Sequence, residues 1–227
     1  MISWTTAFLD LPAESFDEAV EFWCAVTGYA LSESRGDDGE FATLVPPEGD
    51  AFLRVQRLQS GPAGVHVDLH DPESTGLELR QSPGGFTFCV VPVREAARPA
   101  PTDWGTHVSL VDQVCLDIPA RLWEVESRFW SELTGWPLAQ SAVRKEFWAL
   151  ERPAGIPLRF LLQRLDSFQD TVTAHFDIAC SDVSLEVARH LELGATVQAE
   201  LPWWTSMQTP TGSAYCITSR NPATGRL

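Results

Sequence analysis

Two runs of alternating histidine and aspartate stand out, His66-Val67-Asp68-Leu69-His70 and His175-Phe176-Asp177. Side chains two apart on a strand point the same way, so each run would offer an imidazole and a carboxylate to one surface. Such a pair can act as a general base, ligate a metal, or simply hydrogen-bond a neighbouring strand or a bound molecule. With His66, Asp68 and His70 on one face, a metal there, adventitious or real, stays open. Cys216 carries thiol chemistry, but Cys89 holds the same place in the first half. A strand cysteine that recurs in this way reads as a small core residue. Trp203-Trp204, in the Pro202–Thr211 stretch before the last strand, offers indole faces for stacking or cation–π contact, or else anchors its loop.

The elements that must position these residues occur twice. Leu9-Asp10-Leu11-Pro12, Phe22-Trp23 and Thr27-Gly28 are matched by Leu116-Asp117-Ile118-Pro119, Phe129-Trp130 and Thr134-Gly135, always 107 positions later. Val55-Gln56-Arg57-Leu58 and Leu162-Gln163-Arg164-Leu165 keep the interval. A register held this far marks one structural unit used twice, with a period suited to two tandem domains.

In the first copy a strand is expected over Thr5–Leu11. A helix follows, with Ser15 and Glu18 as a capping box and Gly28 as terminator. Strands then fall around Ala30–Ser34, Phe41–Val45 and Ala51–Leu58, giving β-α-β-β-β. Gly64–His70 opens a second unit in which Pro72–Gln81 has room for little more than a helical turn before strand Phe86–Val91. Residues 94–106, with Pro99 and Pro101, are expected to link domains 1–93 and 107–227.

The second copy predicts strand Gln113–Ile118, helix Arg121–Leu133, and strands near Pro137–Ser141, Glu146–Leu150 and Leu158–Leu165. Its second unit begins at Ala174–Ala179. A helix capped by Asp182 and ended by Gly194 comes next, then strands near Thr196–Leu201 and Ala214–Thr218. His66 to Cys89 spans 23 positions and His175 to Cys216 spans 41. The first domain is therefore expected to lack that helix.

Bulk properties narrow the partners. Apolar residues make up 44% and charged residues 21%, with a net charge of −15. That field repels phosphate backbones and anionic membranes, so neither nucleic acid nor membrane is expected as a partner. No apolar run approaches the roughly 18 residues of a membrane span, and no export signal is apparent. Five cysteines without C-x-x-C spacing suit a reducing cytoplasm better than a disulfide framework. Self-association as a homodimer stays open.

The paired β-α-β-β-β units, the F-W-x-x-x-T-G helix ends and the H-x-D strands together resemble the vicinal oxygen chelate superfamily, which includes glyoxalase I, bleomycin-resistance proteins, fosfomycin-resistance enzymes and extradiol dioxygenases. His175-Phe176-Asp177-Ile178 and Pro210-Thr211-Gly212-Ser213-Ala214-Tyr215-Cys216 resemble the H-x-D and D-P-x-G-N-x-x-C segments of the glyoxalase-like branch common in actinobacteria. The resemblance implies an α+β fold in which tandem βαβββ units form two cup-shaped domains, helices outside and ligand within. Alternation then turns Gln113, Cys115 and Asp117 into the second cup, with Arg159, Leu161 and Gln163, His175 and Asp177, and Cys216. Val114, Leu116, Ile118, Leu158, Phe160, Leu162, Phe176 and Ile178 go to the core.

Metal-dependent members of the superfamily take His or Gln, Glu, His and Glu from four strands of a cup. The matching positions here hold Gln113, Gln163 or Leu161, His175 and Cys216, a poor set for a hard divalent ion. In the first domain Thr6 stands where Gln113 does. The resemblance thus implies a protein that binds a small aromatic molecule in the second cup, with no metal and no cofactor, either sequestering it or acting on it without a metal. The alternative is a metal-dependent lyase, isomerase or dioxygenase. A third reading is a scaffold with a closed, dry cup. The expected ligand-binding residues are Gln113, Arg159, Gln163, His175, Asp177, Trp203, Trp204 and Cys216. The acidic net charge favours a cationic guest, whereas Arg159 suits a carboxylate or phenolate.

Overall fold

A computed structural model describes residues 1–142, 144–166 and 169–226. The first half runs β1 (Trp4–Pro12), α1 (Phe16–Thr27), β2 (Ala30–Leu31), β3 (Phe41–Val45), β4 (Leu53–Leu58), β5 (Gly64–Asp71), β6 (Glu78–Gln81) and β7 (Thr87–Pro92). Its sheet has the order β2-β3-β4-β1-β5-β7-β6. The second half runs β8 (Thr102–Asp103), β9 (Val108–Pro119), α2 (Trp123–Thr134), β10 (Leu138–Gln140), β11 (Phe147–Leu150) and β12 (Arg159–Leu165). It continues with β13 (Thr173–Cys180), α3 (Val183–Glu192), β14 (Thr196–Glu200), β15 (Trp204–Gln208) and β16 (Ala214–Thr218). Its order is β10-β11-β12-β9-β13-β16-β15-β14, with β8 on the edge of β9. The seven-strand order of the first sheet recurs in the second, which adds β14 and β8 at its edges, and this α+β arrangement is the expected pair of cups. Both long helices end on a glycine in the left-handed region, Gly28 at φ 72° and Gly135 at φ 70°, a conformation that costs glycine little.

Several local expectations need correction. Ser15 sits at the N-cap of α1, but its side chain makes no capping hydrogen bond. A tight 3-10 turn over Ala13–Ser15 leads straight into the helix, leaving Ser15 at φ −117°, ψ 8° instead of the extended backbone that aims a capping hydroxyl. Pro72–Gln81 lacks a helix, as expected, but holds an unforeseen strand. A turn closed by Ser74 N–H to Asp71 O, 3.1 Å, leads to edge strand β6. Trp204 is not in a loop, because it begins β15. Residues 94–106 are docked to the body. Asp50 accepts from Arg94 Nη2 at 3.0 Å and from the Ala97 amide at 2.8 Å, and Thr102–Asp103 pairs with β9.

The helices join the halves. Trp23 of α1 packs edge-on against Phe176 at 5.8 Å and Tyr215 at 5.6 Å between ring centroids, both on the second sheet. Trp130 of α2 lies against Phe88 of the first sheet at 5.2 Å and stacks on Phe160 of its own at 5.6 Å. The buried apolar side chains of both halves form one continuous core, so the cups stand back to back with their helices between them.

Two buried carboxylates in this seam are well partnered. Glu126, fully buried, accepts from the Gly84 amide and from Trp130 Nε1. From α3, Arg189 donates to the carbonyls of Ala25 and Val26 at 3.0 and 2.9 Å, closing the open end of α1 where carbonyls lack helical partners. Its guanidinium lies 3.7 Å from the centre of the Trp104 ring and pairs with buried Glu186 at 2.8 Å. Burial opposes charge on Glu186, but hydrogen bonds from His190 and Arg189 outweigh it and hold the carboxyl well below its ordinary range.

Candidate functional site

Strands β9, β12, β13 and β16 supply the floor of the second cup. Their register sets Cys115 between Leu161 and His175, and Asp177 between Gln113 and Cys216. The cup encloses a cavity of about 1040 Å³. Gln113, Arg159, Gln163, His175, Asp177, Trp203, Trp204 and Cys216 all line it, as do Cys115 and Leu161. Apart from Asp117, which does not line the cavity, these residues follow the alternation read from the sequence, and their apolar neighbours Val114, Leu116, Phe160 and Phe176 are buried beneath.

At the centre, His175 is held from both sides. Its Nδ1 lies 2.8 Å from Asp117 Oδ2, and its Nε2 lies 3.4 Å from Asp177 Oδ1 and 3.6 Å from Cys216 Sγ. Burial disfavours the charged ring, yet Cys115, Asp117 and Asp177 together raise its pKa well above the ordinary value. With a carboxylate beside each ring nitrogen, the ring is held in place and is not a free general base. Burial, reinforced by Asp177, pushes the Cys216 thiol up, which leaves it a weak nucleophile. Asp177 also accepts from Gln113 Nε2 and lies 3.8 Å from Arg220 Nη1.

Sequence reasoning missed a second group at the same cavity. The ladder between β9 and β13 slips between Asp177 and Ile178, so that Asp112 is an extra residue on β9, the kind of bulge that re-aims a side chain. Asp112 is fully buried and pairs with Arg220. Arg152 donates to the Asp112 carbonyl at 2.9 Å, Arg159 to Gly225 O at 3.1 Å, and Arg98 to Ala223 O at 2.7 Å. These arginines come from the former linker, a loop, a strand end and the C-terminal segment, so no local spacing announces their convergence. Elsewhere around the cavity Trp204 meets Phe147 edge-on at 5.4 Å, with the Arg144 guanidinium 5.4 Å from its ring centre. Trp203 is 44% exposed.

The first cup has the same inner pair but no comparable space. His66 Nδ1 lies 2.7 Å from Asp10 Oδ2, as His175 does from Asp117. Phe8, the counterpart of Cys115, stacks on the His66 ring at 4.3 Å and meets Phe41 at 6.1 Å. Arg54, the counterpart of Leu161, reaches over Phe8 and pairs with Asp68 at 3.6 Å. His70 Nδ1 instead faces Pro92 O at 3.0 Å. His66 is held by Asp10, whereas Asp68 and His70 share the Thr6 hydroxyl, at 3.3 and 3.4 Å. Among the described residues the groupings able to hold a metal lie in the second cup, at Cys115, Asp117 and His175 and at His175, Asp177 and Cys216.

A family model for the glyoxalase-like domain matches residues 6–81 and 113–218. The fold and this match define a two-cup protein of the vicinal oxygen chelate superfamily. The chain belongs to the glyoxalase-like domain family.

Among solved structures, 2,2′,3-trihydroxybiphenyl 1,2-dioxygenase from Sphingomonas wittichii strain RW1 is 11% identical, with a TM-score of 0.63, over 96% of this chain and 90% of that one. The Mn(II)-bound glyoxalase from Novosphingobium aromaticivorans is 14% identical, TM-score 0.61, over 96% and 81%. A xylose isomerase-like TIM barrel/4-hydroxyphenylpyruvate dioxygenase fusion protein is 12% identical, TM-score 0.60; the chain is matched over 97% of its length but spans only 50% of that protein. At these identities the likeness shows the fold. No curated protein sequence matches at a significant level.

The superfamily implies a metal, and the donor set does not fit one bound at its four customary strand positions. Those hold two neutral amides, a histidine and a thiol, and both adjoining carboxylates are engaged, Asp117 with His175 Nδ1 and Asp177 with Gln113, His175 and Arg220. No carboxylate stands free to neutralise a hard dication.

Proposed function

We propose that this protein binds a small aromatic molecule in its second cup without needing a metal, to sequester it or to act on it by proton transfer. The observation that carries the reading is the cavity itself, whose wall combines hydrogen-bonding groups (Gln113, Gln163, His175 and Asp177) with an aromatic rim of Phe147, Trp203 and Trp204. This is the usual make-up of a small-molecule site. Any proton-transfer role would fall to His175, held in place by Asp117. All five cysteines are unpaired, and among the described residues no helix is long and apolar enough to cross a membrane. Both fit our placement of the protein in the cytoplasm.

One observation favours a rival. His175, Asp177 and Cys216 bring three ligand atoms within 4.8 Å of one another, which would suit a borderline ion and a metal-dependent lyase, isomerase or dioxygenase. Elemental analysis separates the two. We expect well under one equivalent of zinc, nickel, iron or manganese per chain. About one ion per chain, lost in His175→Ala, would reverse the ranking.

A further inference from the structure

Six of the chain's sixteen lysines and arginines line the second cup, but only Glu151 and Asp177 of its thirty-one acidic residues do. Four of the six, Arg98, Arg152, Arg159 and Arg220, lie close enough to act electrically on a common neighbour, Asp112. Asp112 and Asp177 are the carboxylates that face this group, so it holds an excess of positive charge in a partly buried place. Like charges gathered there repel, and desolvation adds to the cost. Burial and then the neighbouring guanidiniums pull Arg152 and Arg159 down to about 10, which still leaves both charged at neutral pH.

Donors are also left over. A guanidinium has five N–H groups. Among the described residues Arg159 spends one, on Gly225 O, and Arg152 makes its two hydrogen bonds from Nη1 alone. Unspent, convergent guanidinium donors are what carboxylate and phosphate groups recognise. The acidic net charge is no obstacle, because surface charges beyond about 8 Å are largely screened at physiological salt.

We infer that the guest of the second cup is an anion, an aromatic molecule whose carboxylate or phosphate is seated by Arg152, Arg159 and Arg220 while its ring lies toward Phe147 and Trp204. This rests on the proposed ligand site and deepens it by fixing the charge of the guest.

The test is calorimetric titration of the full chain with 2-naphthoate, 2-naphthyl phosphate and neutral 2-naphthylmethanol. At least one of the two anions should bind 30-fold or more tighter than the alcohol, and which one does so distinguishes carboxylate from phosphate. The preference should shrink with added NaCl, fall below 5-fold in Arg159→Gln, and remain above 10-fold in Arg159→Lys. Equal affinity for anions and alcohol would overturn the inference while leaving the cup as the binding site. Binding of none of the three up to their solubility would overturn both. Should Arg159→Gln fail to fold, Arg152→Gln and the salt series decide, and a preference unmoved by either would overturn the inference.

Discussion

The two cups are built from the same strand order and carry the same aspartate–histidine pair, yet one is full and the other hollow. The difference rests on two positions of the repeat. Phe8 and Arg54 fill the first cup from inside, and Cys115 and Leu161, at the same places, leave room. The shared pair, His66 with Asp10 and His175 with Asp117, therefore belongs to the scaffold as much as to any site. What is particular to the hollow cup is the bulged Asp112, the arginines around it and the aromatic rim. A reader looking for function by matching motifs between the halves would be drawn to the residues that differ least. The informative ones are those that differ most.

The largest expected effect tests how far the halves are independent. Trp23→Ala and Trp130→Ala should each cost about 3–5 kcal/mol, as expected for deleting a buried indole. Because each helix packs on both sheets, urea denaturation should show one transition in both variants. Two separated transitions would mean that the halves melt alone.

The next contrast is in pH. Burial lowers the pKa of His70 in the first cup to about 4, below the roughly 6.5 of an unfolded histidine. The unfolded chain then binds the extra proton between those values. Stability is fully present above pH 6.5 and falls toward pH 4, by about 3 kcal/mol at most. His70→Gln should flatten that fall in denaturation midpoints measured from pH 4 to 7.5. His175, with its raised pKa, acts in the opposite sense. Its contribution is complete below pH 6.5 and is lost as pH climbs through the folded value.

A third experiment converts one cup into the other. Cys115→Phe puts the first-half residue into the second cup, and binding of 2-naphthoate should weaken at least about tenfold, with an overpacking cost to stability of about 1–3 kcal/mol. Unchanged affinity would place the ligand elsewhere. The smallest effect sharpens the rim. Trp204→Ala should lower affinity by about 0.5–1.5 kcal/mol if the indole stacks on the guest, with little change in stability.

The sequence made much of this legible because the repeat interval ties helix ends to strands. Thr27-Gly28 and Thr134-Gly135 located both helix stops, and strand alternation turned Gln113, Gln163, His175 and Asp177 to the same interior. It failed where position depends on more than alternation. Edge strand β6 and its counterpart β15 were not legible, since Glu78–Gln81 and Trp204–Gln208 lack a clean apolar pattern and are defined by their pairing partners. Asp112 was hidden by its bulge, which breaks the period of two that the reading relied on. Arg98, Arg152 and Arg220 sit outside regular strands, and only the path of the whole chain brings them together. The seam around Glu186 and Arg189 was equally hidden, because helical spacing alone does not tell a buried charge from a solvated one.

The placement of α1 between the sheets has a consequence for biosynthesis. The chain is made from its N-terminus, and the face of α1 bearing Phe22 and Trp23 finds part of its covering in Phe176 and Tyr215, more than 150 residues later. The carbonyls at its end wait for Arg189. Until those segments leave the ribosome, the first half carries an uncovered aromatic stripe and an uncapped helix. A nascent chain arrested before residue 173 should therefore be held by chaperones or aggregate, although every strand of its own sheet has already been made.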